Sequence, residues 1–480
     1  MTAMAPRKTK IVCTLGPAVD NEEMIEKLIH AGMDGARFNF SHGTHVTHLE
    51  MLQKLKTVRE RLGVPVATML DTKGPEIRIR TFVDGSVSLT TGESFTLTTR
   101  EVPGTKDMVS VTYDNLHSEL SVGNLVLIDD GLIELVVKEI RCQDIICTVK
   151  TGGGLSNNKS INIPDVNILL PSLTEKDRQD LRFAVEQDFD YVAASFIRKA
   201  QDVEDMRMAL KEYGGEKIRI IAKIENREGV TNLEEIIAAS DGVMVARGDL
   251  GVEIPASEVP VVQKRMINMT IAQGKIVITA TQMLDSMIRN PRPTRAEISD
   301  VANAVFDGTS CVMLSGETAS GKYPIEALSI MAETCEQAES SIHYWKRFSL
   351  RNQIDVGNLS TNDAISYSCC YTAMMLNASC IVSATSSGKT ARLVSRYRPA
   401  CPVVAAVSDE KAWRQLALNW AVVPMRISPV DTTDEMFALC TETAKKAGVA
   451  KLQDRIVITA GIPLNKTGST NLIKAQRIRD

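Results

Sequence analysis

Strand-like apolar runs alternate with amphipathic helical segments along most of this chain, and this alternation limits the fold more than any other feature. Polar residues close the later strands at positions 225, 249, 281 and 317, which are 24, 32 and 36 residues apart. A (β/α)8 barrel uses about 30 residues per unit. The pattern therefore predicts an α/β fold built on a parallel (β/α)8 TIM barrel. Its eight strands are predicted at 10–15, 35–40, 66–70, 191–196, 218–224, 242–246, 275–280 and 310–314.

Two segments depart from this barrel pattern. Residues 73–171 are rich in Thr, Val and Gly, as in SVSLTTGESFTLTTR, and they show no long helical pattern. We expect a small β-barrel domain here, inserted into a barrel that is split into 1–72 and 172–345. After a polar bridge, 346–480 alternates again, with strands expected at 380–384, 403–407 and 455–459. This block predicts an open C-terminal α/β domain.

Composition excludes several classes of function. The chain has 480 residues, a net charge of −4 and only 4% aromatic residues, so nothing indicates nucleic-acid binding. Its ten cysteines are scattered without a C-x-x-C pair, which is typical of a reducing cytoplasm. The start of the chain has no apolar signal core and no stretch approaches a membrane span, so we expect a cytoplasmic protein without a membrane partner.

The runs IIAKIENRE and VMVARGDLG carry the strongest chemical signal. Lys223 and Glu225 are two residues apart, so on a strand they point to one face, and Asp249 closes the next strand at the start of a predicted helix. Mg²⁺ takes one or two carboxylates and completes its shell with water and substrate phosphate. Each pair alone is typical of surface charge, but both end buried strands on the same barrel face. This conjunction indicates metal-assisted phosphoryl transfer, with Lys223 stabilising charge and the NH groups of Gly248 and Asp249 suited to an anion.

Oxygen-bearing side chains also follow two earlier strands. Asn39, Ser41, Asp71 and Thr72 offer hard oxygen ligands suited to a group-I or group-II cation. Ordinary turn and helix-cap chemistry explains them equally well, and both interpretations stay open. Arg37 and Arg78 suit either phosphate or acidic residues of the barrel rim.

The histidines of this region recur at every third position, at 42, 45 and 48. Only His42 lies at a strand end, and the others fall on the following helix. We therefore favour a solvated helix face over a transition-metal site.

ATSSGKTAR, at 384–392, resembles a nucleotide P-loop but lacks its first glycine, because position 383 is Ser383. The segment still gathers donors between a strand and a helix, namely Thr385, Ser386, Ser387, Gly388, Lys389 and Thr390. A phosphate site and a polar helix N-cap both remain open here.

Taken together, these motifs resemble the pyruvate kinase family over nearly the whole chain, with a bacterial-type pattern. The matching stretches are KIVCTLGP, ARFNFSHG, DTKGPEIR, DDG, ASFIRK, AKIENREG, ARGDLGVEIP, ATQMLDSM, DVANAVFDGTSCVMLSGETASGKYP and a final TAG-x-P-x-x-x-x-G-x-TN pattern. The resemblance implies phosphoryl transfer from phosphoenolpyruvate to ADP, giving pyruvate and ATP in the last step of glycolysis. It also implies that the enolate is protonated and that the β domain closes as a lid.

The resemblance implies a role for each site residue. Lys223 would stabilise the transferring phosphoryl group, and Glu225 and Asp249 would bind Mg²⁺ (or Mn²⁺). The K⁺ site would be formed by Asn39, Ser41, Asp71 and the Thr72 carbonyl. Substrate would contact Arg37, Gly248, Asp249 and Thr281, and nucleotide would contact Asn39, His42, Arg78 and Lys159. Proton delivery would use Thr281, Ser315, Glu317 and water.

Further implications concern regulation and assembly. Glu76 is the residue of potassium-dependent members, whereas potassium-independent members carry Lys there, so we expect K⁺ activation. Residues 385–390 would hold the phosphate of a sugar-phosphate or nucleotide effector, and members are usually homotetramers. Ser160 and Ser310 depart from the family's usual Gly and Asp, and Ser160 leaves the local geometry of the lid open.

Two alternatives belong to other functional classes. One is a Mg²⁺-dependent barrel lyase or aldolase that forms a pyruvate enolate without ADP, which the inserted β domain and Lys159 disfavour. The other is a catalytically silent, effector-binding paralogue, which intact Lys223, Glu225, Asp249 and Thr281 disfavour.

Overall fold

A computed structural model describes residues 6–351, 359–464 and 470–479. No helix within these ranges is long and apolar enough to cross a membrane. The first part of the chain forms three parallel strands and two helices. Their bounds are β1 (Lys10–Thr14), α1 (Glu22–Ala31), β2 (Gly35–Asn39), α2 (His45–Leu62) and β3 (Ala67–Asp71), with a 3₁₀ turn at Pro17–Val19.

The second helix shows how the sequence sets these boundaries. Thr44 accepts a hydrogen bond from the backbone of Thr47 while the Thr47 hydroxyl caps Thr44, which forms a capping box. Gly63 ends the helix with a left-handed φ of 64°. The turn before α2 therefore holds 39–43 at the carboxyl edge of β2.

The next segment forms the inserted β domain. Its elements are β4 (Ile77–Arg78), β5 (Ser86–Leu89), β6 (Ser94–Thr98), β7 (Met108–Ser110), α3 (Leu116–Glu119), β8 (Leu125–Ile128), β9 (Ile133–Arg141), β10 (Asp144–Thr151), β11 (Gly153–Ser156) and β12 (Ser160–Asn162). Seven strands pair in the order β4-β12-β8-β9-β10-β6-β7, and β5 pairs with β11. A bridge between Ile79 and Val111 joins the two edges of the seven-stranded sheet, which confirms the expected small barrel.

After the insertion the α/β alternation resumes. The strands are β13 (Tyr191–Ala194), β14 (Arg219–Ile224), β15 (Gly242–Ala246), β16 (Ile276–Ala280) and β17 (Cys311–Leu314). The helices are α4 (Glu175–Glu186), α5 (Ala200–Glu212), α6 (Arg227–Thr231), α7 (Leu233–Ala239), α8 (Arg247–Glu253), α9 (Val259–Ala272), α10 (Arg295–Asp307), α11 (Gly316–Ala319) and α12 (Pro324–Ser340), with a 3₁₀ turn at Asp285–Ile288. Each of these strands is buried on both faces, except for the first residue of β14, as a parallel sheet covered by helices requires.

The eight parallel strands close into one barrel in the order β1-β17-β16-β15-β14-β13-β3-β2. Three strands precede the inserted domain and five follow it, as the alternation of the sequence predicts. Several strands are shorter than expected, because Leu15, Phe40, Ser195 and Phe196 lie just beyond the strand ends. The carboxyl ends of all eight strands meet at one rim of the barrel.

The last part of the chain forms an open α/β sheet. Its elements are α13 (Tyr344–Arg351), α14 (Thr361–Leu376), β18 (Cys380–Thr385), α15 (Lys389–Arg396), β19 (Val403–Val407), α16 (Glu410–Gln415), β20 (Val422–Arg426), α17 (Thr433–Lys446), β21 (Arg455–Ala460) and β22 (Leu472–Arg477), with a 3₁₀ turn at Leu416–Leu418. The strand order is β20-β19-β18-β21-β22, with only β22 antiparallel. The sequence predicted three of these strands and missed the two at the edges.

The 3₁₀ turn at Leu416–Leu418 closes the amino-terminal end of the eight-stranded barrel. Ala417 and Leu418 share one buried cluster with side chains from seven barrel strands, among them Met69, Ile221 and Met244. The eighth strand contributes Gly35, where an added Cβ would lie 2.8 Å from Leu418 Cδ2. We call Leu416–Leu418 the floor plug.

Hydrogen bonds fix the floor plug from both sides. The Tyr191 hydroxyl donates to the Gln415 carbonyl at 2.7 Å, and Cys311 Sγ donates to the Leu418 carbonyl at 3.2 Å. The C-terminal sheet and the barrel are therefore joined by an apolar contact inside the barrel itself.

Candidate functional site

A cavity of about 720 Å³ lies between the carboxyl rim of the barrel and the inserted β domain. It brings together predicted site residues from both. Barrel residues in its lining include Arg37, Asn39, Ser41, His42, Lys223, Glu225 and Asp249, and the β-domain segment contributes Lys73, Glu76, Arg78 and Lys159. Gly248, Thr281, Ser315, Glu317, Asp71 and Thr72 are not among the residues that line this cavity.

A buried ion cluster forms the base of the cavity. Lys223 Nζ lies 3.0 Å from Asp71 Oδ1 and 2.9 Å from Glu225 Oε1. Arg37 Nε binds the other oxygen of Asp71 at 2.6 Å. Both carboxylates are 1% exposed, so these charges are compensated by each other rather than by solvent. Of the two partners predicted for Arg37, phosphate or an acidic residue of the barrel rim, the structure contains the acidic one.

The charges in this cluster reinforce one another. Burial opposes ionisation of Asp71, but Arg37 and Lys223 outweigh it and lower the pKa of Asp71. Burial also disfavours the Lys223 ammonium, yet Asp71 and Glu225 outweigh that effect and raise the pKa of Lys223. Lys223 is therefore a fixed positive charge at neutral pH.

The two carboxylates predicted to bind Mg²⁺ lie side by side. The Asp249 and Glu225 carboxyl groups follow the neighbouring strands β15 and β14 and are close enough to shift each other's pKa. Burial, reinforced by Asp249, raises the pKa of Glu225 to about 7, while Lys223 opposes the shift. Burial likewise raises the pKa of Asp249. Two crowded, buried carboxylates of this kind gain most from a cation placed between them.

A site of three or more His, Cys, Asp or Glu ligands is absent from the described ranges. Two carboxylates beside an open cavity instead fit Mg²⁺, which keeps water and substrate phosphate in its shell. The donor set therefore fits the ion that the sequence predicts.

The residues after β13 contact this cluster and were missed by sequence reasoning. Ser195 Oγ accepts from Lys223 Nζ at 2.7 Å and donates to the Thr72 carbonyl at 2.6 Å. The Phe196 N–H donates to Glu225 Oε2 at 2.6 Å. Ser195 could have been found, because it is a polar residue at a strand end, the criterion that identified the other site residues. It also lies in the ASFIRK stretch that matches the family.

The predicted K⁺ ligands are gathered at the ends of β2 and β3. Asn39 Oδ1 accepts the Ser41 N–H at 3.2 Å, and the Thr72 carbonyl accepts the Ser195 hydroxyl. Asp71 accepts from Arg37 and Lys223, as described above. The sequence left two interpretations open for these residues, a cation site and ordinary turn chemistry. The structure shows turn contacts in the same residues that offer oxygen atoms to a cation.

Thr281 contacts Gly248, the residue before Asp249. The Gly248 N–H donates to Thr281 Oγ1 at 2.7 Å, so this amide, expected to face an anion, already has an acceptor. Thr281 has a φ of 66°, which is rare for a β-branched residue. Arg247 Nη2 bonds the Thr281 carbonyl at 2.8 Å and helps hold this conformation.

Ser315 and Glu317 pack against each other at the end of β17. Glu317 accepts the Ser315 N–H at 2.7 Å and the Leu284 N–H at 3.1 Å, and burial raises its pKa. The Ser315 hydroxyl is buried and has no hydrogen-bond partner in the part of the chain that the structure describes. Strands β16 and β17 are neighbours, so this pair lies on the same side of the rim as Thr281.

The predicted nucleotide contacts lie toward the β domain. Arg78 Nε lies 2.8 Å from Glu76 Oε2, and Lys159 Nζ lies 2.9 Å from Asp129 Oδ1. Arg78 is thus paired with an acid, but Glu76 belongs to the inserted segment and not to the barrel rim, where the sequence predicted the acidic partner. Ser160 lies in β12 opposite Arg78, and its φ is not left-handed. Serine can therefore replace the family's usual glycine there without backbone strain.

The two histidines of α2 pack in part against aromatic rings. His48 stacks on Phe40 with ring centroids 4.1 Å apart, and His45 Nε2 lies 2.7 Å from Asp180 Oδ1. Phe40 and Phe183 give the helix an aromatic surface to cover, so both side chains are half-buried, while 41% of the His45 side chain still faces solvent. The predicted solvated face is therefore only partly solvated. His42 is exposed and lines the cavity.

Residues 385–390 join β18 to α15, as predicted. The Gly388 N–H donates to Thr385 Oγ1 at 3.0 Å, and Gly388 has a left-handed φ of 76°. Ser386, Ser387 and Lys389 are exposed. The helix cap and the exposed donors are thus both present in one loop.

The closed barrel, with a charged cavity at the carboxyl ends of its strands, defines a (β/α)8-barrel enzyme. Comparisons with known proteins narrow this class. The family model described as "Pyruvate kinase, barrel domain" matches residues 6–328, and "Pyruvate kinase, alpha/beta domain" matches 363–475. The chain belongs to the pyruvate kinase family and is a kinase, an enzyme that transfers a phosphoryl group.

Full-length relatives support this assignment. The chain is similar to the pyruvate kinase of Geobacillus stearothermophilus, with 48% identity over 99% of this chain and 81% of the relative. It is also 48% identical to the pyruvate kinase of Clostridium acetobutylicum, over 98% of this chain and 99% of the relative. The Clostridium perfringens pyruvate kinase is 46% identical over 98% of this chain and its own full length.

Proposed function

We propose that this kinase transfers the phosphoryl group of phosphoenolpyruvate to ADP, with Mg²⁺ (or Mn²⁺) and K⁺ as cofactors. The bond from phosphorus to the enol oxygen breaks, and a bond to the terminal phosphate oxygen of ADP forms. The enolate that remains takes up one proton to give pyruvate, so phosphoenolpyruvate, ADP and one proton become pyruvate and ATP. The last step of glycolysis is this reaction.

The observation that carries the proposal is the buried Lys223, held between Asp71 and Glu225 at the base of the cavity. A preorganised cation stabilises negative charge that develops on the phosphoryl and enolate oxygens. Arg37, at the same carboxylate, adds a guanidinium toward the phosphate. Neither cation needs to move, because Asp71 holds both.

Glu225 and Asp249 would hold the divalent cation, which supplies electrostatic stabilisation of the phosphoryl oxygens when bound. Asn39, Ser41, Asp71 and the Thr72 carbonyl would hold K⁺. Thr281, Gly248 and Asp249 would orient the substrate carboxylate. Thr281, Ser315 and Glu317, with water, would deliver the proton to the enolate carbon.

The nucleotide would bind between the rim and the β domain, against Asn39, His42, Arg78 and Lys159. Closure of the β domain would exclude water from the phosphoryl group in transit. We assign this lid to 73–171, the split barrel to 1–72 and 172–345, and a regulatory α/β domain to 346–480.

Regulation and setting form part of the same proposal. Thr385, Ser386, Ser387, Gly388, Lys389 and Thr390 would bind the phosphate of a sugar-phosphate or nucleotide effector. The enzyme would work in the cytoplasm as a homotetramer. All ten cysteines are free thiols, nine of them buried, which agrees with a reducing compartment.

Pyruvate formation from phosphoenolpyruvate tests the proposal when it is measured with and without ADP, Mg²⁺ and K⁺. We expect turnover that requires ADP and Mg²⁺ and rises with K⁺. Turnover without ADP would instead support a barrel lyase acting through a pyruvate enolate. Absence of turnover under every condition would support a silent, effector-binding paralogue.

A further inference from the structure

The turn after β13 contacts Lys223, on β14, and Glu225, which follows the end of that strand. Ser195 is buried, and its Oγ atom lies 2.7 Å from Lys223 Nζ. The next residue, Phe196, places its N–H 2.6 Å from Glu225 Oε2. Two consecutive residues thus hold the lysine and the carboxylate on which the proposed reaction depends.

Hydrogen-bond accounting fixes the direction of the Ser195 contacts. The Lys223 ammonium can only donate, so Ser195 Oγ accepts from it. The single hydroxyl proton is then free for the Thr72 carbonyl at 2.6 Å, which is closer than Asp71 Oδ1 at 3.3 Å. Ser195 therefore relays one hydrogen-bond chain from the end of β3 to the lysine.

The backbone of this turn is held in an uncommon conformation. Phe196 has a left-handed φ of 55°. Backbone strain of this kind persists where surrounding contacts over-determine it, and it concentrates at functional sites. Here the strained residue is the one whose N–H binds Glu225.

The start of the inserted β domain packs on the same turn. A Cβ atom at Gly74 would lie 2.8 Å from Ser195 Cβ and 2.9 Å from Phe196 Cδ2, so only glycine allows this approach. The Ser195 N–H also donates to Thr72 Oγ1 at 3.2 Å. Gly74 and Thr72 therefore restrain the turn in addition to its contacts with Lys223 and Glu225.

We propose that Ser195 and the Phe196 N–H are a positioning pair that fixes the Lys223 ammonium and the Glu225 carboxylate in their reactive orientation. This inference rests on the proposed phosphoryl transfer for its kinetic consequence. Its geometric content, the restraint on Lys223, stands apart from any particular substrate. Ser195 acts through Lys223 rather than through contact with the reacting atoms.

The Ser195→Ala and Ser195→Cys variants test the pair. Alanine removes the acceptor, and cysteine keeps the approximate shape with a much weaker hydrogen bond. We expect kcat to fall roughly 10- to 100-fold in both variants, since a small misplacement of a reacting group costs up to about 10²-fold. The KM for phosphoenolpyruvate should change less than threefold, roughly, because the loss falls on transition-state stabilisation.

A matched control separates positioning from folding. Ser240 lies in the same barrel, and its buried Oγ has no hydrogen-bond partner among the described residues. Ser240→Ala should keep wild-type kcat, because it deletes a buried hydroxyl that makes no hydrogen bond within the described ranges. Ser195→Ala also removes two hydrogen bonds and should melt below this control, so kcat is compared at a temperature at which both variants are folded. A loss of kcat in Ser195→Ala alone supports positioning. Equal kcat in the two variants would overturn the proposal.

A second readout does not depend on turnover. The labelling rate of Lys223 by an amine-reactive reagent, followed by peptide mass spectrometry, reports how firmly the ammonium is held. We expect faster labelling in Ser195→Ala than in the wild type or Ser240→Ala. If Ser195→Ala labels faster but the wild-type protein forms no pyruvate, the proposed function is rejected and the positioning pair is retained. If the labelling rate is unchanged in Ser195→Ala, the positioning pair itself is rejected.

Discussion

The Nζ atom of Lys223 lies 2.9 Å from Oε1 of Glu225, its neighbour but one in sequence. Lys223 ends an inward-facing row on β14, and Glu225 follows at the end of the strand. Asp71 approaches the same ammonium from β3 at 3.0 Å. A cation thus separates two buried anions, and each group fixes the orientation of the others.

Removal of this cation should abolish most activity. Lys223→Ala should lower kcat by about 10²–10³-fold, as expected for loss of a preorganised group that stabilises transition-state charge. Steady-state pyruvate formation measures the effect, with Lys217→Ala as a control because that lysine is largely exposed. Near-normal turnover in Lys223→Ala would remove this residue from the mechanism.

The monovalent-cation requirement should depend on Glu76. This side chain lines the cavity and pairs with Arg78 at 2.8 Å. Glu76→Lys adds an ammonium to the cavity that Asn39 and Ser41 also line, so we expect higher activity without K⁺ and a smaller response to added K⁺. Glu76→Gln, which removes the charge without adding an ammonium, should keep the requirement. An identical K⁺ response in Glu76→Lys and wild type would contradict this assignment.

Effector binding should depend on the exposed end of α15. Lys389 is the first residue of this helix, next to Ser387 and Gly388. Lys389→Gln removes a charge suited to phosphate, and we expect the concentration of sugar phosphate needed for half-activation to rise roughly tenfold or more. Basal activity without effector should be unchanged, because the loop lies outside the catalytic cavity. Unaltered activation would exclude Lys389 from the effector site.

Arg414 should contribute strongly to stability. Its Nε atom lies 2.8 Å from Asp190 Oδ1, and Asp190 is fully buried between the barrel and α16. Arg414→Met leaves that carboxylate without its cation, which should cost about 3–5 kcal/mol of unfolding free energy. Lys411→Met is the control, since its partner Asp188 is largely exposed and the pair should contribute about 1 kcal/mol or less. Equal destabilisation in the two variants, measured by chemical denaturation, would refute the distinction.

The stability contributed by His48 should depend on pH. Burial against Phe40 lowers the pKa of His48, with Lys176 and His45 acting in the same direction and Asp180 and the His42 carbonyl opposing. The unfolded chain then holds this proton more tightly than the folded one. The contribution is full above the unfolded pKa of about 6.5 and is lost as the pH falls below it.

His48→Gln tests this dependence. Its melting temperature should fall furthest below that of the wild type above about pH 6.5, and the gap should narrow toward pH 5. Thermal unfolding at a series of pH values measures the gap. A constant difference across the series would contradict the assignment.

The sequence predicted the barrel because its strands are apolar on both faces and recur at a steady interval. The edge strands β20 and β22 escaped detection for opposite reasons. Pro424 interrupts the apolar run of β20, which only an edge strand tolerates, and β22 reads LIKAQR, with polar residues exposed at the sheet edge. Edge strands carry a weaker pattern because fewer of their side chains are buried.

The candidate site likewise contains residues that the sequence could predict and contacts that it could not. Residues that end strands, such as Lys223, Asp71 and Asp249, could be predicted because the barrel sends every strand end to one rim. The contact of Phe196 with Glu225 could not, since it uses a backbone N–H that any residue carries and a φ that phenylalanine rarely adopts. The stacking of His48 on Phe40 depends on the path of the chain between β2 and α2, which local periodicity does not encode.

The floor plug has a consequence for biosynthesis. The last barrel strand ends at Leu314, yet the apolar side chains of Met69, Ile221 and Met244 pack with Ala417 and Leu418, about a hundred residues later. During translation, a nascent chain in which all eight strands have been synthesised would still expose the apolar side chains at the amino-terminal end of its barrel. These side chains therefore stay exposed, or are covered by another protein, until the floor plug has been synthesised.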